Sequence, residues 1–553
     1  VYDNPTSVRV KEAATTTERP NPMTREQIHT RRWAILGVLI LALFGVTLDN
    51  TILNIALPTL ASDLDATASQ LQWLVDAYVL VFAGLLLVAG ALSDRYGRRL
   101  MLVIGLTVFG IGSALAPFVQ TADQLILLRA FMGLGAALTM PSTLSIIGDV
   151  FEADERPKAI ALWSSVSGLG IIAGPLLGGW LLEHFAWGSV FAVNVPFVAL
   201  GIIATLLVVP ESQASERVPL DPIGGTLSVA GLVALVYGII EIPASGWTDP
   251  IVLGSLGAAA VLLGLFLAWE RRIEHPMLDV RLFANPRFTG ASLSVALVFF
   301  SLMGALFFLT QYFQGVQGLS PFETGLRFIP IALGVIIVSP ISAQLLPRLG
   351  VRYVTAAGLA VTAVGMAMLA AVGIGTSDLY IALVLVVLAG GIALAMTPAT
   401  DAIMGALPPD QFGVGSAVND TTRELGGAFG VAVLGSAFAA SYAAAMRPVT
   451  EGLPAEAAAA ARDSLAAAAE IAARVGGDAG ATLLASAQQA FVDAMSLTSL
   501  FGVGFAIAGT LVALVWLPAR SSESATEVTA DVVATGRQLP DGATRALEAG
   551  AAG

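Results

Sequence analysis

The chain has 553 residues, a formal charge of −13, 56% hydrophobic and 12% charged residues, and a mean hydropathy of +0.81. It holds no cysteine, which excludes disulfides, thiol catalysis and cysteine-based metal sites. His29, His184 and His275 all fall outside the predicted spans, and no nucleophile–base or metal set is present, so an enzyme and a bound cofactor are disfavoured and no nucleic-acid partner is expected.

Residues 1–32 and 519–553 are polar and read as disordered tails, without a cleavable apolar leader at the front. Between Trp33 and Trp516, apolar runs alternate with short polar breaks. At about 20 apolar residues per span this predicts fourteen transmembrane helices in an all-α protein embedded in the lipid bilayer. They fall near 33–56, 71–93, 100–119, 124–148, 158–182 and 189–210, then 222–241 and 250–270. The rest fall near 288–310, 322–343, 351–373, 378–406, 412–443 and 494–518. Arginines gather at alternate breaks (Arg31, Arg32; Arg95, Arg98, Arg99; Arg156; Arg348, Arg352), while the other breaks carry acids such as Asp63, Asp123 and Asp378. By the positive-inside rule both termini are cytoplasmic.

The first span carries Leu48-Asp49-Asn50-Thr51 and then Asn54. A carboxylate in hydrocarbon is expensive to keep ionised, so Asp49 should exchange protons. Asp76 lies one turn or so inside the second span. That span ends in Gly90-Ala-Leu-Ser-Asp94-Arg95-Tyr-Gly97-Arg98-Arg99, and the tenth ends in a run with Leu345, Arg348, Gly350 and Arg352 at matching offsets. The match reads as a duplicated six-helix unit, 33–210 and 288–518, with a two-helix linker at 211–287. Arg129 in the fourth span cannot shed its charge and must find a carboxylate or carbonyls. The fifth span holds Gly170, Gly174, Pro175, Gly178 and Gly179, a run suited to a bent, closely packed helix.

These motifs resemble the major facilitator superfamily, and specifically its fourteen-helix drug:proton antiporter branch of quaternary-ammonium and multidrug efflux pumps. The resemblance covers 33–518. It implies that Gly90, Asp94, Arg95, Gly97, Arg98 and Arg99 form a cytoplasmic latch between two six-helix bundles, with Arg residues that pair with Asp94 and with membrane phosphates. It makes Asp49 the leading proton carrier, with Arg129 tuning it from the central cavity, and Gly170–Gly179 the antiporter motif. Met132 replaces the usual Gln of the fourth-helix motif.

Asp420 and Glu424 stand i, i+4 in the thirteenth span and match membrane acids of that branch, as does Asp76; all three are candidates for proton coupling. Arg423 lies beside Glu424 as a possible neutralising partner. Val335 occupies the place of the branch's acid in the tenth span. Asp149 and Asp401, near span ends, read as solvated. Asn54, Phe299, Phe300, Phe307 and Phe308 are candidate cavity residues, the aromatics equally compatible with facing lipid. The long loop 444–493 resembles an extracellular helical hairpin that either gates or tethers.

The implied function is a proton-coupled antiporter of the cytoplasmic membrane that exports lipophilic, cationic small molecules, working as a monomer with protons as the coupling ion. An exporter of a dedicated metabolite or antibiotic, or a transporter-like membrane sensor, is the alternative.

Overall fold

The computed structural model describes residues 25–518 apart from 65, 67, 213–220, 275 and 409–410. The expected tails therefore lie outside the described residues over 1–24 and 519–553, as does His275. Twelve helices among the described residues are long and apolar enough to cross a bilayer. One of these, 322–370, is broken at Gly350 into two spans. Arg156–His184 supplies another, which makes fourteen.

In chain order the spans are α1 (Arg25–Asp63), α2 (Ala68–Tyr96), α3 (Arg98–Leu115), α4 (Ala122–Val150), α5 (Arg156–His184) and α6 (Asn194–Val208). The inserted pair is α7 (Pro222–Ser245) and α8 (Pro250–Glu270). Then come α9 (Pro286–Gln311), α10 and α11 (329–349 and 351–370, the two arms of Ile329–Ala370), α12 (Asp378–Gly405), α13 (Phe412–Met446) and α14 (Gly477–Trp516). Helices suit a bilayer because each satisfies its own backbone where no water can. The helix starts are signalled locally: Asp221 and Asp249 each accept two backbone N–H groups of α7 and α8, and Asn285 accepts one of α9, with a proline next in each case.

Helices α1–α6 pack on one another, and so do α9–α14. Three flanks join the two groups: α2 against α13, α5 against α10 and α12, and α4 against α13. Helix α7 lies on both α2 and α13. Exposed apolar side chains such as Leu127, Leu207 and Val515 face outward where lipid would be. Gly97 (φ +119°) and Gly350 (φ +77°) both take left-handed conformations that favour glycine, at the corresponding α2–α3 and α10–α11 corners.

Three boundaries differ from expectation. Helix α1 is already helical at Arg25, the first described residue, inside the stretch 1–32 read as tail, and Arg32 is anchored to Glu155 at 2.6 Å. The sixth span is split: a short helix Ser189–Ala192 ends before α6 starts at Asn194. The last span begins at Gly477 rather than 494. The first turns of α14 precede the expected span, and the helix packs on the short helix Leu465–Val475, which follows Ala455–Asp463. Gly476 and Gly477, both at positive φ, make the reversal.

Candidate functional site

The centre of the first half is a buried ion pair. Asp49 of α1 is fully buried and Arg129 of α4 is 1% exposed; Arg129 Nη1 donates to Asp49 Oδ2. Asn194 Nδ2 donates to the other oxygen, Oδ1, at 2.9 Å, and Arg129 Nε donates to the Leu74 carbonyl of α2 at 3.0 Å. The Arg129 guanidinium also lies 4.4 Å from the centre of the Tyr78 ring. One carboxylate and one guanidinium thus join α1, α2, α4 and α6. A buried pair of this kind survives only when its remaining donors and acceptors are also met, which Asn194, Leu74 and Tyr78 do. The break before α6 is what sets Asn194 at a helix start within reach of Asp49. Asp76 is half-buried just beyond Leu74. The side chain of Asn54 lies outside the described ones.

Helix α5 brings its glycines to α1 directly behind this pair. Thr51 Oγ1 donates to the Gly170 carbonyl at 2.8 Å. A Cβ on Gly174 would stand 2.1 Å from Thr51 Oγ1, and one on Gly178 would stand 2.8 Å from Ile52. Gly170, Gly174 and Gly178 recur every four residues, so they form one bare stripe along α5. Gly179 instead faces Phe322, just before α10. The side chain of Pro175 lies outside the described ones.

At the arginine-rich end, Asp94 reaches across to the other half. Its carboxylate accepts the backbone N–H of Gly413 at 2.8 Å and of Val414 at 3.0 Å, in the first turn of α13. That is the positive end of the helix dipole, where a carboxylate is stabilised. Arg98 donates to Asp94 at 2.9 Å, lies 3.6 Å from Asp149, and stacks 5.7 Å from the Phe412 ring. Gly90 permits the approach, since a Cβ there would lie 2.5 Å from the Gly413 carbonyl. Arg99 pairs with Glu211 at 3.6 Å and donates to the Val209 carbonyl at 3.3 Å. Arg95 sits beside the Tyr96 ring. Asp149 and Asp401, expected to be merely solvated, are both paired. Asp401 is 7% exposed and takes Arg156 at 2.8 Å, a second ionic link between the halves.

In α13, the ion pair that Arg423 makes is with Asp420. Neighbouring residues on a helix point about 100° apart, and Arg423 pairs one turn back with Asp420, Nη1 to Oδ1, at 3.6 Å. Asp420 is 1% exposed and also accepts from Asn419 at 3.3 Å; Glu424 is half-buried. The Arg423 guanidinium lies 4.6 Å from the Phe299 ring of α9 and 5.5 Å from the Trp163 ring of α5. Phe299 is therefore beside the charged pair, whereas Phe307 is more than a third exposed and meets Phe308 and Gly435. Asn194, Tyr78, Trp163 and Arg423 were not singled out as site residues from sequence. Arg423 carried a signal, as an unneutralisable charge inside a span.

Two groups of helices meet through Asp94 on the start of α13 and through the Arg156–Asp401 pair, each group holding a buried charge pair in a multi-pass membrane chain. The chain belongs to the Major Facilitator Superfamily, whose family model matches residues 39–431. It is 36% identical over 489 residues to the multidrug efflux pump LfrA of Mycolicibacterium smegmatis, covering 87% of this chain and 96% of that one. It is 33% identical to the methyl viologen resistance protein SmvA of Salmonella typhimurium, covering 84% and 93%. In fold it is similar to the human organic anion transporter MFSD10 (TETRAN), with a TM-score of 0.59 at 15% identity, over 89% of this chain and all of that one.

Proposed function

We propose that this protein is a proton-coupled antiporter that exports lipophilic, cationic drugs or toxic compounds across the cytoplasmic membrane by alternating access. The observation that carries the reading is the buried Asp49–Arg129 pair with Asn194 on its second oxygen. While Asp49 is ionised, this one group holds α1, α4 and α6 together and leaves Arg129 gripping α2. Protonating Asp49 removes the charge that Arg129 requires, so a single proton loosens four helices of one half. Asp94 holds the arginine-rich end shut, and its release lets 33–210 rock against 288–518 about the linker 211–287. Asp76, Asp420 and Glu424 are further carboxylates for protons or a cation. Each charge moved is worth about 2.3 kcal/mol per 100 mV, so extra protons per drug steepen export. No chemistry is performed on the substrate, no cofactor is required beyond the proton, and the working unit is a monomer with both termini in the cytoplasm. The similarity to named efflux and resistance proteins supports the substrate class.

The test is ethidium transport in proteoliposomes under an imposed pH gradient, with the parent chain and Asp49→Asn. Gradient-driven transport in the parent and none in the folded variant is expected. Equal transport by both would overturn the coupling role of Asp49, and no transport by the parent would overturn the export reading.

A further inference from the structure

The Arg423–Asp420 pair is incomplete in a way that the Asp49–Arg129 pair is not. Arg423 is 5% exposed, yet its Nε and Nη1 have no hydrogen-bond acceptor. Asp420 Oδ2 likewise has no donor. The two charges stand 3.6 Å apart, beyond hydrogen-bond length, so each faces the other without using it. Leaving such groups unmet inside a protein is costly, and the cost is recovered by a ligand that supplies the missing partners. The flanking surfaces are aromatic and come from both halves: Trp163 of α5, fixed by its Nε1–H to Thr143 Oγ1 at 3.1 Å, and Phe299 of α9.

Resting on the export reading above, we propose that Arg423 is a substrate-binding residue that takes a carboxylate of an aromatic, amphoteric compound. The open Nε–H and Nη1–H lie on different edges of the planar guanidinium, so the carboxylate takes one of these two edges. Asp420 Oδ2 offers an acceptor to a donor or cation on the same molecule, and Trp163 and Phe299 bracket the ring system. The exporter then has two kinds of ligand. Simple lipophilic cations need only the carboxylates, whereas amphoteric aromatics need Arg423 as well.

A matched pair of dyes tests this. Rhodamine 110 carries a free carboxylate, and rhodamine 123 is its methyl ester with the same ring system. Binding of each to the purified full chain is read by fluorescence polarisation for the parent, Arg423→Gln and Arg423→Lys. The expected result is a loss of about tenfold or more in rhodamine 110 affinity in R423Q, with rhodamine 123 within about twofold or tighter. If R423Q does not fold, R423K carries the test, since it keeps the charge but loses the planar fork; a loss of several-fold confined to rhodamine 110 is expected. Parallel losses for both dyes, or no change for either, would overturn the proposal, as would failure of the parent to bind rhodamine 110. Transport of rhodamine 123 under a pH gradient by the parent, in separate vesicles, reports on the export reading alone.

Discussion

Asp94 on α2 and Gly413 on α13 are 319 residues apart in sequence and meet as a carboxylate and a backbone N–H at 2.8 Å. The bond ties one half of the transporter to the helix dipole of the other, and its strength depends on a full negative charge.

Asp94→Asn keeps the shape and loses the charge, so the latch should weaken by roughly 1–2 kcal/mol, about five- to thirty-fold in its closing equilibrium. Because the chain has no cysteine of its own, a single cysteine placed at Ser416, fully buried in α13, reports on opening. Its labelling by a maleimide in membranes should rise by about that factor in the Asp94→Asn background. Unchanged labelling would show that other contacts hold this end.

Arg129→Ala should destabilise the protein by roughly 3–5 kcal/mol, because it strands the Asp49 carboxylate in a dry site. Adding Asp49→Asn to Arg129→Ala should recover much of that loss without restoring transport. Thermal unfolding in detergent measures the first effect and vesicle assays the second. A double variant no more stable than Arg129→Ala alone would show that the two residues are not energetically paired.

Gly174→Ala should lower the melting temperature and abolish transport. Its Cβ would lie 2.1 Å from Thr51 Oγ1 and 2.8 Å from the Ile52 backbone nitrogen, and overpacking of this kind costs about 1–3 kcal/mol. Gly254→Ala on α8, where nothing stands within 4 Å, is the control and should leave both unchanged. Equal effects of the two substitutions would remove the close α1–α5 approach as the cause.

The Arg32 guanidinium beside Glu155 holds that carboxyl below the usual glutamate range. A carboxyl depressed in the folded state contributes its stability above its unfolded value and loses it as pH falls through the folded one. The first described turns of α1 should therefore stay protected from amide exchange at neutral pH and loosen only as pH falls below the usual glutamate range. Glu155→Gln should show the loosened pattern at every pH; if exchange over 25–33 is the same in parent and variant at pH 7, the contact does not hold the helix start.

The span pattern, the α2–α3 corner and its repeat were legible because they are local: apolar length, a glycine forced to positive φ, arginines at breaks. The need of Arg129 for a carboxylate was also legible, since no other state is open to a guanidinium in lipid. The donor to the other carboxylate oxygen was not. Asn194 is 145 residues from Asp49, and nothing in its neighbourhood marks which helix start will reach it. Arg156 and Asp401 are 245 residues apart and meet only once the halves close. The partner of Arg423 was open to argument from helix geometry alone, since position i−3 shares its face and position i+1 does not.

The inserted helices have a mechanical meaning. Helix α7 touches α2 at Leu80, Ala83 and Gly84, and with α8 it touches α13 at Ala432. Val233 seats where Gly84 has no side chain, since a Cβ there would lie 2.6 Å from its Cγ2, and Tyr237 stacks on Trp73 of α2 with ring centres 6.2 Å apart. Ile239, Ile242 and Val252 close on Ala432 of α13. The inserted pair is thus keyed into both groups of helices through small residues, so any shift of α2 against α13 has to be taken up at these contacts.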